Sequence, residues 1–87
     1  MNIFKKIFKP RIKTFSHQYI SMVAHLSPFG KIIKDFDNMV ITLQTSNGEA
    51  SAELRPLYEK WLEVPKEEKE SVLLSMASEL LSNANSW

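Results

Sequence analysis

The chain predicts an α+β fold: a helix, a three-stranded antiparallel β-meander, then two packed helices, preceded by a basic amphipathic N-terminal arm. Three observations carry that prediction. Apolar residues recur at helical spacing from Phe15 to Leu26, the period falls to two between Met39 and Leu54, and two proline-led helical stripes follow. The 87 residues suit one small domain, and chains of this size bury only about 60% of their unfolded surface, so stability is modest.

Taken in order, Pro10 reads as a hinge, because its ring removes a ladder N–H and disfavours helical angles at Lys9. Thr14 then caps a helix over residues 15–27, with Phe15, Tyr19, Met22, Val23 and Leu26 on one face. Ser27-Pro28-Phe29-Gly30 closes that helix and turns the chain. A first strand is expected at residues 32–36, with the facing of its side chains left open by Lys34 and Asp35, and Asp37-Asn38 forms the next turn. Met39, Ile41, Leu43 and Thr45 alternate with Val40, Thr42 and Gln44 in the central strand, and Ala50, Ala52 and Leu54 alternate with Glu49, Ser51 and Glu53 in the third. Asn47-Gly48 between them is a hairpin signal, since both residues tolerate positive φ.

Pro56 suits the first turn of a helix whose stripe is Leu54, Leu57, Tyr58, Trp61 and Leu62. Pro65 opens a second, with Glu67, Glu68 and Glu70 near the positive end of its dipole and Val72, Leu73, Met76, Ala77, Leu80 and Leu81 as the buried face. The Ser- and Asn-rich end is expected to fray, with Trp87 stray or docked on a partner. The organisation is therefore an arm at 1–13, a single α+β domain at 14–82 and a tail at 83–87.

A composition of 44% hydrophobic and 24% charged residues is that of a folded globular protein. Without cysteine there is no disulfide framework and no thiolate metal site, which fits a reducing compartment. The net charge of +1 conceals an asymmetry: residues 1–34 hold seven bases and no acid, while residues 35–87 hold ten acids against four bases. Such a split favours self-association of opposite patches or a basic arm seeking an anionic surface. Lys, Pro and Arg interrupt each apolar run near the start, which excludes a secretory signal, and no stretch approaches the roughly 20 apolar residues of a membrane-crossing helix. Mitochondrial presequences lean on Arg and Ser, whereas this opening leans on Lys.

The run AELRPLYEKWLEVPKEEKESVL, after a helix and a hairpin, resembles the first segment of the YtpQ-like family of bacterial proteins, a domain family of unknown function. Its pattern is a strand ending in a "leucine, two residues, tyrosine" unit, a short amphipathic helix, a proline and an acid-rich helix. Leu54, Leu57, Tyr58, Leu62, Pro65, Glu67 and Glu68 match it, and the similarity covers residues 15–80. Members of that family continue well beyond this point. The resemblance implies the same fold, a bacterial cytoplasmic setting, and either a stand-alone version or the first segment of a larger protein; it implies no activity.

The residues that invite chemistry have plainer roles. His17 and His25 lie eight apart on one helix, about 12 Å along its axis, too far to share an ion. Ser16 and His17 are adjacent and so point about 100° apart, without the glycines of a nucleophile elbow. Gly30 and Gly48 lie in no phosphate-loop pattern. Glu67 and Glu68 are ordinary helix-start electrostatics, and Tyr58 and Trp61, at helical spacing with Leu57 and Leu62, read as core. The sequence implies no catalytic residue, cofactor, metal or small-molecule substrate.

What remains is MNIFKKIFKPRIK. At about 100° per residue, Ile3, Phe4, Ile7 and Phe8 span about 0° to 140° of a helical wheel and Lys5, Lys6 and Lys9 about 200° to 300°. With Arg11 and Lys13, these nine residues are the candidate membrane- or partner-binding site. Such a segment can lie in a bilayer interface, lysines at anionic headgroups and phenylalanines at the acyl boundary, or fill a groove on a protein. It is too short to be stably helical alone in water, so the expectation is an arm that orders on contact.

The function expected is a non-catalytic binding or scaffold module, cytoplasmic or peripheral at the inner face of the membrane. Its partners would be an anionic membrane surface, a partner protein or a second copy of itself. An enzyme subunit or substrate-binding segment of a larger YtpQ-like protein, with a pocket between the hairpin and Trp61, is the alternative. Nucleic acid comes third, because Ile and Phe between the bases are wasted on a duplex.

Overall fold

The helix that opens the fold carries both the basic segment and the first core residues. A computed structural model describes residues 3–85, with side chains from Arg11 onward. Helix α1 runs Ile3–Leu26 as one element, which corrects the expected start at Phe15 with Thr14 as cap and Pro10 as hinge. The Ser16 hydroxyl donates to the Ile12 carbonyl, four residues back, at 2.8 Å, so this stretch lies inside a helical ladder. A proline removes one ladder bond and crowds the carbonyl behind it, but a helix can continue past it. The division between arm and domain therefore does not fall at an end of the helix.

Phe15, Tyr19 and Val23 are fully buried along one stripe of α1, with Met22 and Leu26 packed beside them. The helix ends at Leu26, where Ser27-Pro28-Phe29-Gly30 makes a turn closed by a Gly30 N–H to Ser27 carbonyl bond of 3.0 Å. A Cβ at Gly30 would sit 2.6 Å from Ser27 Oγ and 2.8 Å from Leu43 Cδ1, so the turn needs glycine for space rather than for backbone freedom.

Strands β1 (Lys31–Asp35), β2 (Val40–Thr45) and β3 (Gly48–Glu53) form an antiparallel sheet in the order β1-β2-β3, the meander expected. Ile32 pairs with Leu43, Leu43 with Ala50 and Ile41 with Ala52, so these five share the face turned to the helices. Ile33, Thr42 and Ser51 pair across the opposite face, where the Thr42 and Ser51 hydroxyls lie 2.7 Å apart. This settles the facing of β1: Ile32 packs on the core, and Ile33 points away from it at 42% exposure. The strand begins one residue earlier than expected, which leaves Phe36 in the loop.

That loop, residues 36–39, is held by Asp35, whose carboxylate accepts from the Asn38 backbone N–H at 3.2 Å and from Asn38 Nδ2 at 2.9 Å. The Asn38 side chain first, then its backbone N–H, holds the Asp35 carboxyl below its usual pKa. Met39 takes φ 54, a left-handed conformation uncommon for a residue with a long side chain, while its carbonyl accepts from Leu54 N–H at 2.8 Å. The second hairpin is one residue out of the expected position. Thr45 pairs with Gly48, the two-residue loop is Ser46-Asn47, and only Gly48, at φ 152, uses the positive-φ freedom read into Asn47-Gly48.

Leu54 is fully buried where β3 passes directly into α2 (Leu54–Leu62), with Pro56 in the first turn as expected. A 3-10 turn at Lys66–Glu68 follows Pro65 and holds Glu67 and Glu68, and α3 (Lys69–Ala84) continues from it. Helix α3 packs against α1 and α2 and over β2 and β3, burying Leu73, Ala77, Leu80 and Ala84. Ala77 and Ala84, each with no exposed surface, allow close approach of the elements around them. Val72, Met76 and Leu81, expected in the same stripe, are half-buried at its margin.

The segment expected to fray instead closes the fold as far as it is described. Helix α3 reaches Ala84, and Asn85 caps it with a backbone N–H to Leu81 carbonyl bond of 3.1 Å. Asn85 Oδ1 accepts from the Thr45 hydroxyl at 2.9 Å and from Asn47 Nδ2 at 3.5 Å, tying the helix end to the hairpin. The Trp87 expectation lies outside the described residues.

Candidate functional site

The basic segment is positioned by the half of α1 that follows it. Phe15 is the first fully buried described residue of that helix. Its ring lies 6.0 Å from that of Tyr19, 5.8 Å from that of Tyr58 and 5.3 Å from that of Trp61, so the aromatic residues of α2 clamp α1 at this point. Before Phe15, Arg11, Lys13 and Thr14 are exposed and Ile12 is half-buried. The side chains of Ile3, Phe4, Lys5, Lys6, Ile7, Phe8 and Lys9 lie outside the described residues; their backbone belongs to α1. The first turn of α1 contains no acidic residue. A helix N-terminus carries about half a positive charge, so the lysines of this segment meet the dipole with the same sign.

A second assembly, not legible in the sequence, joins α2 to α3. Lys69 Nζ donates to the Trp61 carbonyl at 2.6 Å and sits 4.3 Å from the centre of the Trp61 ring, while Trp61 Nε1 donates to the Lys69 carbonyl at 3.3 Å. One lysine thus caps the end of α2 and makes a cation–π contact, each favourable by about 0.5–2 kcal/mol. The pairing spans eight residues across a turn, a spacing with no recognisable local pattern.

Beside it, an open groove of about 960 Å³ lies between α1 and the α2–α3 junction, lined among others by His17, Ser21, His25, Trp61, Lys66 and Glu70. It brings both histidines to one surface, along with a mixture of charges. A smaller groove of about 390 Å³ runs between β3, α2 and α3, with Ser51, Glu53, Leu57, Lys60, Met76 and Glu79 on its walls. Tyr19 lines this second groove. Burial, and then the charge of Glu79, push its hydroxyl pKa up to about 12, so it is a neutral phenol at ordinary pH. Trp61 lines the first groove and residues of β3 line the second, so neither of these two grooves joins Trp61 to the hairpin.

Ser16 is buried with its hydroxyl committed to the Ile12 carbonyl, which leaves it unavailable to His17. Among the described residues, no three His, Asp or Glu side chains come together as a metal site would require. Also among the described residues, no helix is long and apolar enough to cross a membrane. The chain matches no protein-family model, no curated protein and no solved structure.

Proposed function

We propose that this protein is a non-catalytic attachment module that docks on an anionic membrane surface through the basic, apolar start of α1. The observation that carries the reading is the charge of that helix: five bases and no acid over Ile3–Leu26, with no acidic residue in its first turn. The helix dipole and the lysines repel one another there, and an anionic surface relieves both at once. Lys5, Lys6, Lys9, Arg11 and Lys13 contribute about 1 kcal/mol each near such a surface, on the order of a few thousandfold in partitioning. Ile3, Phe4, Ile7 and Phe8 add burial in the acyl boundary, which supplies the second signal that stable anchoring needs. The Phe15 clamp fixes the rest of α1 to the core, so the body of the domain is carried to the surface with its segment.

Co-sedimentation with vesicles tests this. Full-length protein should pellet with vesicles rich in anionic lipid, remain in the supernatant with purely zwitterionic vesicles, and be released as salt rises. The variant Lys5→Glu, Lys6→Glu, Lys9→Glu should lose pelleting while keeping its far-UV circular dichroism. Equal pelleting of variant and parent would remove the membrane role. Salt-sensitive retention of a nucleic-acid duplex without vesicle binding would favour the nucleic-acid reading instead.

A further inference from the structure

The sheet has two outer strands, β1 and β3, and the sequence of β1 is complementary to itself. Among the described residues β1 pairs with β2 alone, as does β3, which passes into α2 and packs beside α3. The backbone groups on the outer side of KIIKD therefore have no strand partner among the described residues. On the face away from the helices, Lys31, Ile33 and Asp35 stand in a row, and all three are exposed. Their neighbours on β2 are Gln44, Thr42 and Val40, so neither charge has an oppositely charged residue directly beside it in the sheet.

We propose that β1 pairs antiparallel with β1 of a second copy about a two-fold axis at Ile33, forming a continuous six-stranded sheet. In this register Lys31 of each copy lies opposite Asp35 of the other, and the two Ile33 side chains meet on the axis. Asp35 is already oriented by its two bonds from Asn38, so the carboxylate is set before the second copy arrives. Extending the register places Phe36 opposite Gly30 and beside Phe29 of the other copy. Phe36 is 52% exposed and Phe29 entirely so. Apolar residues at both ends of a charged strand are what a self-complementary interface requires, since under two-fold symmetry each end meets the other. On the helix side, Lys34 falls opposite Ile32 of the second copy. A lysine there disfavours indiscriminate strand addition, and because each copy offers β1 only once, association closes at two.

Sedimentation equilibrium of the full chain over a wide micromolar range tests the interface, with a charge exchange as the diagnostic. The parent should show a monomer–dimer equilibrium. Lys31→Asp sets like charges opposite each other at both ends and should weaken the dimer by about tenfold or more. Ile33→Lys, at an exposed position, should weaken it similarly without disturbing the monomer's circular dichroism. The exchange Lys31→Asp with Asp35→Lys restores opposite charges in the same register and should recover most of the loss relative to Lys31→Asp. A parent that stays monomeric throughout overturns the proposal. So does a dimer indifferent to Lys31→Asp and Ile33→Lys, or an exchange that recovers nothing.

Discussion

Two phenylalanines at opposite extremes of burial give the sharpest test of how α1 is held. Phe15 has no exposed surface and touches three aromatic rings at 5.3–6.0 Å, whereas Phe29 is fully exposed in the turn after α1. Truncating a buried Phe to Ala costs about 3–5 kcal/mol through lost transfer energy and the cavity left behind. Collapse into that cavity is hindered here, because Trp61 is fixed to Lys69 through two hydrogen bonds and the ring contact. The upper part of the range is therefore expected, about 4 kcal/mol. Folding stability for 87 residues is about 4–13 kcal/mol at typical per-residue values, so Phe15→Ala should remove at least about a third of it. Phe29→Ala should change stability by no more than about 0.5 kcal/mol. Urea unfolding followed by far-UV circular dichroism measures both, with similar m-values as the check that the unfolding reaction is the same. A loss below about 1 kcal/mol for Phe15→Ala, or comparable losses for the two, would refute the clamp.

Two further outcomes follow from single contacts. The Tyr19 hydroxyl has a pKa near 12 when folded, against 10.0 for the unperturbed group, so the folded state holds the proton more tightly. Its contribution is fully present below pH 10 and is lost as pH rises through 12; Tyr19→Phe should flatten the pH dependence of stability in that window, and an unchanged slope would count against the assignment. Asn85→Ala removes the acceptor of the Thr45 hydroxyl and should cost about 0.5–1.5 kcal/mol. Hydrogen exchange at Ser46 and Asn47 should quicken with it, and exchange unaltered at the hairpin would show that the tether does not hold the loop.

Where local pattern decides structure, the fold was legible. Ile41 and Leu43 alternate with Thr42 and Gln44 so regularly that only one face of β2 can be the core, and Pro56 and Pro65 mark the starts of the last two helical segments. Where two rules compete, or the decisive contact is distant, legibility ends. Pro10 is a local breaker, yet the helix runs on past it to Leu26. Ile32 and Ile33 are adjacent and equally apolar, so the sequence does not say which faces inward; the register opposite Leu43 decides. The end of α3 is polar by composition but is fastened by Thr45, 40 residues earlier in the chain. Of the candidate site, the exposure of Arg11 and Lys13 was legible from charge alone, whereas the Trp61–Lys69 clasp depends on how two helices meet.

The absence of cysteine permits a single probe to be placed at will. An environment-sensitive fluorophore on Phe4→Cys, compared with one on Ser46→Cys at the hairpin loop, reports which end of the molecule enters a bilayer. With anionic vesicles carrying a quencher in the acyl region, the probe at position 4 should be quenched and shifted to the blue, while the probe at position 46 remains as in water. Equal behaviour of the two probes, or a position-4 probe that stays in water when the protein is bound, would contradict attachment through the start of α1.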